Sequence, residues 1–575
     1  MNKEERKKAL EEIRAIADQG AKAETEFKKN TEEFLSFFLP TWDHIEALDP
    51  DKFLILGSRG TGKTYLFGSL AQKEIQQNLV SLFCKHYPWL KQAIFIVGFG
   101  QIPGIEQYTF PASDILDKIA VDFKNEIHEW RLFWLGLLLG CILQTDSLKI
   151  NSHIDAILPE ILKKKAKNTS QPSEWLPLVA QYLEKIYLFL DKLDQYFTKQ
   201  DRWLLIIYDA LDKLTSSYHY LAAPIKALLS FWLGNWSRWS RIRGKIFLRT
   251  DLFRPEFLSF PDASKLKTHE VELSWSPLHL YFLVFKRMVN AGKVVRELFK
   301  TLGVLYEKKH PILGWLPKPN EDSFKKIIKE IIGPYMGSGP KKGHTYNWIP
   351  NHLQDANGVV MPRPMLNLFH FAAKGRLERG LEKLKNNKLL LPEDLSGALK
   401  EVSEHRIKEL SEEFQWVNFL KPYFQGLSMP VEEQVLLDKI GVALKTKKDE
   451  IISKLQKNEK EREKFKKLKK DYFNESLKDF VKNDNDLNRI VHYNNTLIQK
   501  VDPIFLDPSS NFIKAHFYAP RKKIFGMFIS TFWMNIFVLW FGTILLFITL
   551  YFKLLKRLLD YLENVSENIK RKKDK

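Results

Sequence analysis

The run Gly57-Ser58-Arg59-Gly60-Thr61-Gly62-Lys63-Thr64 constrains this chain more than any other segment. It stands between an apolar stretch, Phe53-Leu54-Ile55-Leu56, and a helix-compatible segment that runs from Tyr65 to Leu70. A strand, a glycine-rich turn and a helix start in that order make a loop whose backbone N–H groups converge on one point, reinforced by the positive end of the helix. Such a loop takes phosphate. Lys63 can bring a point charge to the β- and γ-phosphates, and the Thr64 hydroxyl can ligate Mg2+. The spacing therefore predicts bound ATP with Mg2+, held by Gly57, Ser58, Arg59, Gly60, Thr61, Gly62, Lys63 and Thr64.

A phosphate loop needs a partner strand before hydrolysis can be argued. Leu204-Leu205-Ile206-Ile207-Tyr208-Asp209 is an apolar run ending in an acid, the pattern of a buried parallel strand. Asp209, at its carboxyl end, is placed to hold Mg2+, and Asp212 is the candidate to orient or deprotonate the attacking water. A third strand, Lys245-Ile246-Phe247-Leu248-Arg249, ends in Arg249-Thr250-Asp251, and a fourth, His269-Glu270-Val271-Glu272-Leu273, leads into Trp275-Ser276-Pro277. This order of elements predicts an α/β fold, a parallel sheet covered by helices.

With these residues in place the chain resembles the STAND class of signalling ATPases, AAA+-like P-loop NTPases. Within that class it is similar to bacterial membrane-associated or defence-linked members that share features with origin-recognition ATPases. The resemblance covers roughly residues 45–430. It implies that Arg249 senses the γ-phosphate and that Asp209-x-x-Asp212 is the acidic element. Asp209 is not followed by Glu, unlike the Asp-Glu pair of AAA+ motors, which implies slow or partner-triggered turnover. The resemblance also implies a helical lid after the sheet. Leu278 to Arg376 reads as helical, and Arg363, just before the helix-like Met365 to Lys374, could reach the nucleotide from it. Arg238 and Arg241 stand where an arginine finger for a neighbouring subunit would lie.

Ile524 to Phe552 contains no charged side chain, and about twenty such residues cross a bilayer. Arg521-Lys522-Lys523 before it and Lys553, Lys556 and Arg557 after it suit headgroups, while Trp533 and Tyr551 suit the interfaces. Basic flanks on both sides leave orientation open; cytosolic ATP places the loop inside. The stretch Ala515 to Lys523, with the span behind it, also looks like the last span of some bacterial ABC-type exporters, an anchoring module without catalytic motifs. A shorter apolar run, Leu132 to Leu143, is too brief to span and reads as a buried helix.

The formal net charge of +20 calls for an anionic partner. Lys and Arg concentrate towards the membrane end, in the lysine-rich helical stretch Leu444 to Phe480 and in Lys570-Arg571-Lys572-Lys573. That placement favours membrane lipid over nucleic acid, and the helix suits a homo-oligomer or a partner protein. Two cysteines, Cys84 and Cys141, lie far apart, against disulfide scaffolds and zinc sites.

The expected layout is an N-terminal helical segment (1–44), a P-loop NTPase domain (45–276), a helical lid (277–385), a charged helical region (386–523), a transmembrane helix (524–552) and a basic tail (553–575). The expected function is a single-pass, membrane-anchored bacterial ATPase with its catalytic domain in the cytoplasm, working as an ATP-dependent conformational switch in phage defence or envelope signalling. The alternatives are a membrane-tethered nucleic-acid-binding ATPase and the energising subunit of a transport complex.

Overall fold

The structure, a computed structural model, describes residues 1–20, 26–27, 29–100, 110–123, 126–216, 218–253, 260, 262–355, 358–384, 388–427 and 433–455, with shorter stretches at 462–464, 467, 490–493, 496–499, 521–524, 527–554 and 556–557. The chain divides into two units, Met1–Arg406 and Ile407–Lys575.

The first unit is built on a five-stranded parallel sheet: β1 (Leu54–Gly57), β2 (Ala93–Phe99), β3 (Trp203–Tyr208), β4 (Ile242–Arg249) and β5 (Glu270–Glu272), in the order β2-β3-β4-β1-β5. All residues of β1 and β4 are buried, as central parallel strands covered on both faces require. The sequence marked β1, β3, β4 and β5; β2 carries no acid or arginine at its end and was not foreseen. Register sets Gly57 beside Arg249 and Tyr208 beside Ile246, so the carboxyl ends of β1, β3 and β4 meet at one edge of the sheet.

Among the helices of this unit, α1 (Lys3–Arg14), α2 (Thr31–Phe37), α3 (Lys63–Ala71), α4 (Ile127–Gln144), α5 (Leu183–Lys199), α6 (Tyr218–Asn235), α7 (Pro277–Ala291) and α8 (Pro362–Arg379) carry the argument. The connection leaving β1 runs towards the β2 edge and the later ones run back, so right-handed crossovers send them to opposite faces. The aromatic contacts agree. Phe247 meets Phe67 of α3 on one face, and Tyr208 meets Trp134 of α4 and Trp232 of α6 on the other. A crevice opens at the carboxyl edge, where ligands of open α/β sheets bind.

The apolar run Leu132 to Leu143 is indeed a buried helix, α4, pinned where Trp134 Nε1 donates to Pro224 O at 2.8 Å. On α5, Asp194 accepts from the backbone N–H groups of Ser240, Arg241 and Ile242 at 3.0, 2.7 and 3.0 Å and so fixes where β4 begins. A second apolar core joins α1, α7 and α8. The first helix thus packs into the helical region that follows the sheet. There Glu12 caps the helix Lys293–Thr301 by accepting from Val294 and Val295 N–H at 3.0 and 2.8 Å.

In the second unit, α9 (Glu433–Leu455) covers the start of the lysine-rich stretch. Most of that stretch beyond it, and the basic tail, lie outside the described residues. Two hairpins follow, β6 (Ile490–Tyr493) with β7 (Thr496–Gln499) and β8 (Arg521–Ile524) with β9 (Met527–Ser530). The helix α10 (Thr531–Tyr551) is long and apolar enough to cross a membrane, with mean hydropathy 2.0. It begins later than residue 524: Ile524 ends β8 and Met527–Ser530 form β9, because a four-residue apolar piece satisfies a strand as well as a helix.

Candidate functional site

The loop 57–64 owes its path to its glycines. Gly60 and Gly62 have φ of +88° and +105°, values that side chains rarely adopt, and a Cβ on Gly57 would stand 2.5 Å from Thr61 Oγ1. Gly62 is the N-cap of α3, so the loop's N–H groups and the helix end face the same space. Thr61 Oγ1 donates to Ser58 O at 2.9 Å, and Trp275 Nε1 donates to Thr61 O at 2.9 Å, bracing the loop from beyond β5. The buried Lys63 ammonium turns back and donates to Gly57 O at 2.6 Å and Ser58 O at 3.0 Å. Burial lowers its pKa to about 8, opposed by Asp209.

Asp209 follows β3, its N–H donating to Phe99 O of β2 at 3.0 Å, and is buried. Burial raises its pKa to about 6 against hydrogen bonds from the Ala210 N–H and the Thr64 hydroxyl and the attraction of Lys63. A hydroxyl and a carboxylate already in contact fit Mg2+, a hard cation that takes one or two protein oxygens and fills its octahedron with water and phosphate.

Arg249 ends β4 between two acids. Its Nε and one Nη donate to Asp251 at 3.0 and 2.8 Å, and the other Nη donates to Asp212 Oδ2 at 3.0 Å. Asp251 and Asp212 therefore share one guanidinium.

Lys63, Asp209, Asp212 and Arg249 line one cavity of about 480 Å3 together with Arg59, Gly60, Thr61, Gly62 and Thr64. Arg363, on the first turn of α8, also reaches it, with its Cβ near Gly60. Gly57 and Ser58 stand at the loop's base and shape it through their carbonyls.

Sequence reasoning missed the cavity's aromatic wall, made by Phe37, Phe38, His44 and Trp275, and missed Arg287, which also lines it. None of these sits in a motif; each arrives by tertiary packing from before β1, from just after β5 or from the helical region. Burial lowers the His44 pKa to about 4, and its Nδ1 accepts from Thr41 N–H at 3.0 Å, which puts the ring proton on Nε2. Arg287 pairs with Glu26 at 3.1 Å beneath the Tyr65 ring.

Arg238 and Arg241 stand at the other end of β4, away from this cavity. Arg238 is held by both oxygens of Asp191 at 2.8 and 2.7 Å, and Arg241 pairs with Asp201 at 3.0 Å. Both are engaged within the chain.

The cavity thus combines a cradle of N–H groups, four arginines, two lysines and two carboxylates with an aromatic wall. That arrangement suits a polyanion carrying a flat apolar group. No family model, curated protein or solved structure matches this chain.

Proposed function

We propose that this chain is a membrane-anchored P-loop ATPase that uses ATP as a conformational switch. One observation carries the reading: loop 57–64, the Thr64–Asp209 contact and Arg249 converge on a single cavity at the carboxyl edge of a parallel sheet. In that reading Lys63 exchanges the carbonyls of Gly57 and Ser58 for phosphate oxygens, keeping its charge satisfied in both states. Thr64 and Asp209 would hold Mg2+, which supplies neutralisation of the charge that develops on the phosphates during transfer. The aromatic wall takes the base.

Arg249 supplies the switch. Its guanidinium must choose between its two carboxylates and a γ-phosphate, and leaving Asp212 frees that carboxylate to orient a water. Hydrolysis is then slow, since the base is occupied until Arg249 moves. The exposed apolar α10 supports a single-pass anchor, with the first unit in the cytoplasm where ATP is found.

The test is calorimetric titration with Mg-ATP and Mg-ADP. Lys63→Ala should lower ATP affinity by roughly ten- to a hundredfold, the worth of a charge-assisted contact. Arg249→Ala should lower the ratio of ATP to ADP affinity more than it lowers ADP affinity. Wild-type affinity in Lys63→Ala would overturn the reading.

A further inference from the structure

We infer that the β8–β9 hairpin is a headgroup-binding foot, seated on anionic phospholipid at the leaflet where α10 enters the bilayer. The inference rests on reading α10 as a membrane span. It adds what the span's apolar composition does not contain, a folded element that selects the lipid surface.

Position comes first. β9 runs directly into α10, with Ser530 as its N-cap, and Lys522 Nζ donates to Asn535 Oδ1 at 3.4 Å, tying the basic strand to the second turn of the helix. The hairpin therefore sits at the end of the helix, where a bilayer would present its headgroups.

The register then sorts the side chains. Lys523 pairs with Phe528 and Arg521 with Ser530, which puts both cations on the face of the hairpin that carries the Phe528 ring. The Arg521 guanidinium lies 4.8 Å and the Lys523 ammonium 5.4 Å from the ring centroid. Cations over an aromatic ring match the layering of a membrane interface, with phosphate outside and the acyl boundary beneath.

Charge and exposure name the occupant. Residues 521–530 include three basic side chains and no acid. Met527 and Phe528 are 65% and 45% exposed and continue into the exposed Phe532 and Trp533. A soluble polyanion would meet the cations and leave this apolar surface in water; an anionic bilayer meets both. A two-stranded hairpin is also marginal in water alone, so a surface to lie on accounts for its pairing.

The test uses the full chain in a Cys84→Ser background, the buried Cys141 being left in place. An environment-sensitive label is attached at M527C or, as a control for the span, at L539C. The chain is reconstituted into phosphatidylcholine vesicles with or without phosphatidylglycerol, containing lipids brominated near the headgroup end of the acyl chains or deep within them. The expected result is deep quenching at 539 in all vesicles and shallow quenching at 527 only where phosphatidylglycerol is present.

Replacing Arg521, Lys522 and Lys523 by Gln should remove the signal at 527 and leave that at 539. Each basic residue near an anionic surface is worth roughly fivefold, so three together are worth on the order of a hundredfold in occupancy. Quenching at 539 without any at 527 overturns the inference while keeping the span. Equal quenching at 527 with and without phosphatidylglycerol overturns the selection of anionic lipid, and no quenching at 539 overturns the span and the foot together.

Discussion

Lys63 and Asp209 are displaced towards each other on the pH scale by the same cause, burial in one cavity, and this gives the site a working window. Under the proposed function Lys63 would meet phosphate only when protonated, and Asp209 would meet Mg2+ only when ionised. Mg-ATP affinity should therefore hold between about pH 6 and about pH 8. It should fall below that range as Asp209 takes up a proton and above it as Lys63 loses one. Asp209→Asn should weaken Mg2+-dependent binding and remove its share of the acid limb, a comparison that cancels the protonation of ATP itself. Titration calorimetry across this range checks both; an acid limb of unchanged size in Asp209→Asn assigns it to another group. At this scale the sequence was legible where chemistry is local. Residues 59–64 of the loop, Asp209, Asp212, Arg249 and Arg363 all line the same cavity, because spacing along a loop or a position at an element's end carries their placement. Phe37, His44, Trp275 and Arg287 were not legible, since no spacing rule connects residues brought together only by packing.

Among the elements, α2 also passes its geometry to the site, since Phe37 and Phe38 at its end line the cavity. Its last carbonyls are held by Lys286 of α7, which donates to Leu35 O at 3.0 Å, Ser36 O at 2.6 Å and Phe38 O at 2.6 Å. The ammonium is fully buried, and burial pushes its pKa well down. Lys286→Met keeps the volume and leaves these carbonyls without their donor. It should destabilise the first unit by roughly 2–4 kcal/mol and weaken ATP binding as the aromatic wall loosens, measured by denaturant unfolding and by titration. Unchanged stability would mean that solvent reaches the helix end. The strands were readable in the sequence to the extent that a functional side chain ended them. β2 is equally apolar but ends in nothing chemical, and the start of α10 was misplaced because hydropathy does not separate a short strand from a helical turn.

For the whole molecule, the units separate along the chain: the candidate site lies within Met1–Arg406 and the apolar helix within Ile407–Lys575. A chain ending at Tyr518 should leave the membrane fraction and still bind ATP. Leu539→Arg in the full chain should cost on the order of 3 kcal/mol of insertion free energy. Carbonate and high-salt washing followed by nucleotide titration checks both, and retention of the truncated chain in the membrane would place the anchor elsewhere. The strand order has a further consequence, in time. β1 has only β4 and β5 as neighbours, and Leu54 waits about 190 residues for its partner Ile246. At synthesis rates of about 5–20 residues per second, that wait is on the order of ten to forty seconds. Throughout it the glycine loop has been made but not shaped, because the strand that carries it has no sheet to join. When β4 slots between β3 and β1 it brings Arg249 with it, so the glycine loop and Arg249 come together in the same event, and under the proposed function a nascent chain would not hold nucleotide in a half-built site.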